Sequence, residues 1–124
     1  MDTEKTILIA EPKEILGRDL SSSLMDQGFK TVQARTLKET LLAIQKEKVD
    51  VLILDASLLG EDSGFISIIK GMEENLCIIV CAETNTPEFE AKIRQQRIFY
   101  YHIKSFGIED LEMAISNAIN KQSR

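Results

Sequence analysis

Three short runs in this chain are apolar almost without interruption, and this continuity limits the possible folds more than any other feature. The runs are TILIA at Thr6–Ala10, VDVLILD at Val49–Asp55 and LCIIVCA at Leu76–Ala82. A strand with one face in water alternates apolar and polar residues, whereas a continuously apolar strand has both faces covered. The three runs therefore predict a parallel sheet that lies between two layers of helices.

Two further β-rich runs, KTVQA at Lys30–Ala34 and FYYHI at Phe99–Ile103, bring the number of predicted strands to five. A stretch with helical spacing follows each strand. Five β-α units in 124 residues predict a doubly wound (βα)5 sandwich, for which the strand order 2-1-3-4-5 is a common solution. We expect residues 1–124 to form a single domain, since this length supports one compact fold.

The inward face of each predicted helix is marked by apolar residues that recur every three or four positions. In chain order the five sets are Leu16, Leu20 and Leu24; Leu37, Leu41 and Ile44; Phe65, Ile68, Ile69 and Met72; Phe89 and Ile93; and Ile108, Leu111, Ala114, Ile115, Ala118 and Ile119. Pro12 and Pro87 stand where the first and fourth helices are expected to begin, because the first helical turn tolerates proline.

The chain carries 20 acidic and 15 basic residues, which gives a formal net charge of −5, and the basic residues are scattered. This balance argues against nucleic-acid binding. No apolar run approaches the length of a membrane span, and the N-terminal MDTEKT lacks the apolar core of an export signal. We therefore expect a cytoplasmic protein that does not bind a membrane.

Both cysteines, Cys77 and Cys81, lie in one predicted strand. In an extended chain they stand about 13 Å apart, which is too far for a disulfide. We expect two reduced thiols in the core. The single histidine, His102, also falls on a strand, where a packed or partly exposed side chain is more common than a catalytic one.

In a doubly wound sheet, ligands bind at the carboxyl ends of the strands, beside the point where the strand order reverses. The first strand is followed by Glu11, the third ends in Asp55 and the fifth runs into Lys104. We expect these two carboxylates and the lysine to converge. A nucleotide or flavin carrier needs backbone N–H groups after the first strand to bind phosphate, but Glu11 and Pro12 stand there instead.

Five sequence anchors occur in the order of one known family. They are ILIAE at the end of the first strand, Asp55 at the end of the third, Gly64 after the following loop, VCAE at the end of the fourth strand and YHIKSF at the end of the fifth. On these anchors the chain resembles, over essentially its full length, the receiver domain of two-component response regulators, the CheY-like family with a flavodoxin-like fold. The resemblance implies a signalling domain in a phosphorelay, and not an enzyme.

The resemblance also implies a role for several residues. Asp55 would accept a phosphoryl group from a histidine kinase or a phosphotransfer protein, and Lys104 would pair with the phosphate. Mg²⁺ would be held by acidic residues, here Glu11 and Asp55. Cys81 and Tyr101 occupy the positions of the family's switch pair, which couples the phosphorylated site to the output surface. At the least, we expect Lys104 and Asp55 to form a salt bridge.

Three residues depart from the family pattern. Pro12 stands where the family has its second acid, Cys81 where it has a hydroxyl residue and Ser105 where it has a proline. With one acid missing, we expect Mg²⁺ to bind weakly or not at all, since it binds through carboxylate oxygens. The thiol of Cys81 is also a weaker donor to phosphate oxygens than a hydroxyl.

Two hypotheses of function follow. In the first, the receiver domain accepts a phosphoryl group on Asp55 with impaired Mg²⁺ binding. In the second, the chain is a pseudo-receiver that binds an effector domain or a second copy of itself without phosphorylation, through its fourth helix, fifth strand and fifth helix. The expected interface then includes Arg94, Arg97, Tyr100 and Tyr101, because aromatic and arginine side chains are enriched in protein interfaces.

The candidate residues also have purely structural interpretations. Asp55 could accept only backbone hydrogen bonds at its strand end, and Lys104 could be a solvated lysine after an edge strand. Glu11 could be an N-terminal cap of the first helix, where the helix dipole favours an acid. Tyr101 could be folded inward or lie on the surface. These alternatives stay open at the level of sequence.

Overall fold

The computed structural model describes residues 4–60, 64–84 and 86–122. Strands and helices alternate along these parts of the chain, in the order β1 Thr6–Ala10, α1 Ile15–Asp26, β2 Lys30–Ala34, α2 Leu37–Lys46, β3 Val51–Asp55, α3 Gly64–Met72, β4 Cys77–Ala82, α4 Pro87–Arg94, β5 Tyr100–Ile103 and α5 Ile108–Gln122. Short 3-10 turns at Ala56–Leu58 and Lys104–Phe106 follow β3 and β5. None of the described helices is long and apolar enough to cross a membrane.

The five strands form one parallel sheet in the order β2-β1-β3-β4-β5, which confirms the predicted topology. Every residue of β1, β3 and β4 is buried, as their continuous apolar sequences predict. The strand order reverses between β1 and β3, where Ala10 lies opposite Leu54. The next residues along, Glu11 and Asp55, therefore lie at the same edge of the sheet.

Helices cover both faces of the sheet. The apolar faces of α1 and α5 pack on one face, whereas α2, α3 and α4 pack on the other. The predicted stripe of α5 is confirmed, since Leu111 and Ala118 are fully buried and Ile115 is nearly so. Leu20 and Leu24 bury the corresponding face of α1.

The predicted inward face of α3 is correct for Phe65 and Ile69, which pack on the core, and wrong for Ile68 and Met72. Ile66 and Ile69 are fully buried, whereas Ile68 is 57% exposed and Met72 is 39% exposed. Five apolar residues crowd the sequence between Phe65 and Met72, so several helical faces satisfy the spacing rule. Packing against the sheet selects the face that carries Ile66 and Ile69.

The two prolines differ in their relation to the helices. Pro87 is the first residue of α4, as predicted, and the Thr86 hydroxyl caps this helix. The prediction that Pro12 lies in the first turn of α1 is wrong, because α1 begins only at Ile15. The chain bends after β1 and passes through Glu14, whose φ of 56° is left-handed, before the helix starts.

Cys77 and Cys81 are both buried in β4 and form no disulfide, as expected. Their side chains lie on the face of the sheet that α1 and α5 cover.

Candidate functional site

Asp55 ends β3 beside the reversal of strand order, and the residue is only 6% exposed. Its Oδ2 accepts a hydrogen bond from the Lys104 ammonium at 2.8 Å. Its Oδ1 accepts one from the Ser57 backbone N–H at 3.0 Å. The predicted salt bridge between Lys104 and Asp55 is therefore present, and each carboxylate oxygen has a donor.

Lys104 starts the turn that follows β5, and its side chain is 23% exposed. Burial opposes the charge of the ammonium, but the hydrogen bond from Lys104 to Asp55 and the negative charge of Asp55 outweigh this effect and raise the pKa of Lys104. Glu83 adds to the increase, since its Oε1 lies 3.6 Å from the Lys104 nitrogen. The lysine is therefore fully charged at neutral pH.

Glu11 is nearly completely buried, with 2% of its surface exposed. Its Oε1 accepts a hydrogen bond from the Leu16 N–H at 2.9 Å, and its Oε2 accepts one from the Gly17 N–H at 2.7 Å. These donors belong to the first turn of α1, where backbone N–H groups lack partners within the helix. The residue at the cap position, Glu14, makes no side-chain cap, so Glu11 performs the capping from three residues upstream.

The carboxylates at this edge are not arranged as a Mg²⁺ site. Both oxygens of Glu11 are held by α1, both oxygens of Asp55 have donors, and Pro12 offers no carboxylate. Among the described residues, no cluster of three or more potential metal ligands of the His, Cys, Asp or Glu type occurs. Weak binding of Mg²⁺ by Glu11 and Asp55 therefore stays a prediction.

Cys81 lies beside Asp55 on β4 and is fully buried. Burial raises the pKa of this thiol to about 12, and the negative charges of Asp55 and Glu11 act in the same direction, against Lys104. The side chain is therefore a neutral thiol at physiological pH. It offers the site at most a weak S–H donor and no nucleophile.

An open cavity of about 250 Å³ lies over the acid–lysine pair. It is lined by Glu11, Pro12, Lys13, Ile15, Asp55, Ser57, Glu83 and Lys104. The structure thus brings together the three strand-end residues that the sequence predicts to converge. The cavity leaves room for a small group next to the Asp55 carboxylate.

Two residues at this site carried no role in the sequence interpretation. Ser57 donates its backbone N–H to Asp55, and the signal for it is the Asp-x-Ser pattern of a side-chain turn. Glu83 follows β4 directly and approaches Lys104. The sequence shows that Glu83 follows a strand end. Its distance from Lys104 depends on the packing of β4 against β5.

Tyr101 and His102 occupy successive positions of β5 and point to opposite faces of the sheet. Tyr101 packs with the core under α2, α3 and α4 and is 4% exposed. His102 is 2% exposed and lies opposite Cys81 in the sheet. Within the described residues, the Tyr101 hydroxyl and His102 Nδ1 are buried without a hydrogen-bond partner.

The four residues of the expected interface do not form one surface patch. Tyr101 is folded inward, with the guanidinium of Arg94 5.8 Å from its ring centre. Tyr100 is half-buried and packs on the opposite face, with the α1 and α5 core. Alternation along β5 places the two tyrosines on opposite faces of the sheet. The prediction that Tyr101 is a surface residue of the interface is therefore wrong. Arg97 lies near the opposite edge of the sheet, where β4 and β5 begin.

The fold and the site define a doubly wound α/β domain with an acid–lysine pair at the reversal of its strand order. A family model of the response regulator receiver domain matches residues 7–116. The chain therefore belongs to the response-regulator receiver family, whose members are signalling domains of two-component systems. A comparison with curated proteins found no match.

Solved structures with the same fold include several receiver domains. A CheY-like receiver domain from Methanospirillum hungatei has a TM-score of 0.87 at 18% identity, over 98% of each chain. The signal receiver domain of an HD domain-containing protein from Pseudomonas fluorescens gives 0.86 at 21% identity, also over 98% of each chain. A response regulator from Burkholderia pseudomallei, solved with a phosphorylated aspartic acid, a calcium ion and citrate, gives 0.79 at 21% identity, over 97% of this chain and 72% of that one.

Proposed function

We propose that Asp55 is the phosphoacceptor of this receiver domain and takes its phosphoryl group from a histidine kinase or a phosphotransfer protein. The observation that supports this most directly is the contact between Asp55 Oδ2 and the Lys104 ammonium, at the floor of an open cavity. The pair supplies a carboxylate nucleophile and a fixed cation within 2.8 Å of it, which can receive a phosphoryl group and balance part of its charge.

The reaction is a transfer between two nucleophiles. A carboxylate oxygen of Asp55 attacks phosphorus while the P–N bond to the donor imidazole breaks, and the released nitrogen takes a proton from solvent. The product is an acyl phosphate, and Lys104 pairs with the phosphoryl oxygens. Water later attacks phosphorus, breaks the bond to Asp55 and releases inorganic phosphate. The Burkholderia protein of the same fold was solved with a phosphorylated aspartic acid, which is consistent with this assignment.

The reaction is expected to be slow in this chain. Pro12 stands where the family has its second acid, and Glu11 accepts hydrogen bonds from the first turn of α1. The negative charge that develops on the transferred phosphoryl group is therefore opposed mainly by Lys104. Electrostatic stabilisation is the largest contribution to phosphoryl transfer, and loss of one charged group costs orders of magnitude in rate.

A second candidate function is that of a pseudo-receiver, which binds partners without phosphorylation. The specific observation in its favour is that Glu11 acts as a helix cap. In this case α4, β5 and α5 carry the interaction with an effector domain or a second copy of the chain. The salt bridge from the Lys104 ammonium then keeps the Asp55 carboxylate in one position, and Asp55 stays unphosphorylated.

A small phosphodonor such as acetyl phosphate separates the two candidates. We expect the protein, incubated with donor and Mg²⁺, to gain one phosphoryl group in intact-mass measurements and Asp55→Asn to gain none. Ser57→Ala is the matched control, because it keeps the backbone N–H that Asp55 accepts. An unmodified protein after prolonged incubation would refute phosphoacceptance and support the pseudo-receiver. An adduct that persists in Asp55→Asn would place the acceptor elsewhere.

A further inference from the structure

A second polar cavity lies at the opposite edge of the sheet, where β4 and β5 begin. We call it the basal cavity, and its volume is about 110 Å³. Three cationic side chains line it, Lys70 from α3, Arg97 from the loop before β5 and Lys121 from α5. The volume is several times the roughly 30 Å³ that one water molecule occupies in the liquid, so a small polyatomic ion fits.

Lys70 is fixed in position at the basal cavity. Its ammonium donates hydrogen bonds to the Glu74 carbonyl oxygen at 2.8 Å and to the Leu76 carbonyl oxygen at 3.0 Å. Burial lowers the pKa of Lys70, and the positive charges of Lys121 and Arg97 lower it further, although Cys77 and Glu74 oppose this. Because the three cations line one cavity, an anion bound between them would reduce their mutual repulsion.

Lys121 is held by an aromatic ring. Its ammonium lies 5.6 Å from the centre of the Phe99 ring, within the range of a cation–π contact. Phe99 itself lines the basal cavity and packs on the α1 and α5 core. This contact orients the ammonium at the cavity wall without neutralising its charge.

Arg97 adopts a backbone conformation that L residues rarely take. It follows the end of α4 with a φ of 61°, and its N–H donates to the Arg94 carbonyl oxygen. Glycine is the usual residue at such a left-handed helix end, because a side chain is strained in this conformation. The other non-glycine residue with positive φ among those described is Glu14, and its side chain forms a salt bridge with Arg35 at 2.9 Å.

The cations of the basal cavity differ from Glu14 in this respect, since the described part of the chain places no carboxylate in a salt bridge with Lys70, Arg97 or Lys121. The cavity lining contains one carboxylate, that of the exposed Glu74, against these three cations. A positive cavity in a chain of net charge −5 is a local concentration of charge rather than a general property of its surface.

We propose that the basal cavity binds a small tetrahedral oxyanion of the phosphate class, held by Lys70, Arg97 and Lys121. The guanidinium of Arg97 supplies two parallel donors, and the two ammonium groups supply point charges. The anion is either inorganic phosphate or the phosphate of a small phosphomonoester, because both present the same oxygens. The site is separate from Asp55, so it holds whichever candidate function is correct.

Arg97→Gly is the sharpest test, because it removes the guanidinium and also relieves the left-handed backbone. We expect inorganic phosphate at millimolar concentration to raise the Tm of the wild-type protein and to shift the amide signals of residues around 70, 97 and 121 in a saturable way. Arg97→Gly is expected to fold with an unchanged or higher Tm in phosphate-free buffer and to bind phosphate at least about tenfold more weakly. Lys121→Gln is expected to weaken binding as well.

Lys92→Gln is the matched control, since Lys92 is an exposed cation of α4 that does not line the basal cavity. Its response to phosphate is expected to equal that of the wild-type protein. Glycerol 3-phosphate in a parallel titration distinguishes the two sources, because tighter binding than inorganic phosphate indicates a phosphomonoester. Sodium chloride of equal ionic strength producing the same shifts, or Arg97→Gly retaining full phosphate affinity, would overturn the proposal.

Discussion

The Lys104 ammonium donates a hydrogen bond to Asp55 Oδ2 at 2.8 Å and joins the turn after β5 to the end of β3 across the intervening strand β4. The same ammonium lies 3.6 Å from Glu83. One lysine thus lies within reach of two carboxylates at this edge of the sheet and compensates part of their negative charge.

The first prediction concerns the charge of Lys104. Asp55→Asn removes the carboxylate that raises the pKa of Lys104, so the pKa of this lysine is expected to fall. Because the folded-state pKa is raised above the ordinary 10.5, the stabilisation is complete below pH 10.5 and is lost as pH rises through the folded-state value. NMR titration of the lysine side chains measures the shift. An unchanged Lys104 titration in Asp55→Asn would contradict the electrostatic role of the pair.

A second prediction concerns Glu11 as a helix cap. Glu11→Gln replaces a charged acceptor of two backbone N–H groups by a neutral amide, which is expected to lower the free energy of unfolding by about 1–3 kcal/mol. Glu14→Gln is the control, since the Glu14 salt bridge to Arg35 is exposed and is expected to cost less than about 1 kcal/mol. Chemical denaturation measures both values. Equal effects of the two substitutions would exclude a special capping role.

The third prediction concerns Mg²⁺. With Glu11 engaged by α1 and Pro12 in place of an acid, sub-millimolar Mg²⁺ is expected not to saturate the site, and Pro12→Asp is expected to tighten binding. Titration with Mg²⁺, followed by the amide signals near Asp55, measures the affinity. Saturation of the wild-type protein at sub-millimolar metal would show that Glu11 and Asp55 suffice as ligands.

A fourth prediction is that stability falls in mild acid because of His102. Burial lowers the pKa of His102 below its ordinary 6.5, with Lys104 acting in the same direction and Asp110 opposing it. The unfolded chain therefore binds the proton first, so stability is complete above pH 6.5 and falls as pH decreases, by at most about 1.4 kcal/mol per pH unit. Denaturation at several pH values is expected to show a shallower decline for His102→Val. Equal slopes would assign the acid sensitivity to other groups.

The fifth prediction separates the ring of Tyr101 from its hydroxyl. The ring is buried in the core, so Tyr101→Ala is expected to cost about 3–5 kcal/mol. Within the described residues, the buried hydroxyl has no hydrogen-bond partner, so Tyr101→Phe is expected to be neutral or stabilising by about 1 kcal/mol. Thermal and chemical denaturation measure both. A large loss in Tyr101→Phe would indicate a hydrogen bond that the hydroxyl makes in solution.

Much of the architecture follows from the sequence because its signals are local. Short, continuously apolar runs rich in β-branched residues favour strands with both faces covered, and their alternation with amphipathic helices leaves few topologies. The sequence also predicts that Asp55 and Lys104 lie at one edge of the sheet, since each directly follows the interior of a strand. The salt bridge between them is a consequence of the parallel topology.

Other features depend on contacts between distant segments and were decided only by the tertiary structure. The role of Glu11 was undetermined because its partners, Leu16 and Gly17, come within reach only when the chain bends after β1. Packing against the sheet determines which face of α3 is buried. Packing against the core under α4 determines that Tyr101 points inward.

The basal cavity is the clearest example of a feature that the sequence alone does not reveal. Lys70, Arg97 and Lys121 are scattered along the sequence and belong to three different segments. No local pattern relates them, so along the sequence they resemble ordinary solvated cations. The close packing of α3, α5 and the loop before β5 around the start of β4 brings their charges together, and such proximity is a property of the folded chain alone.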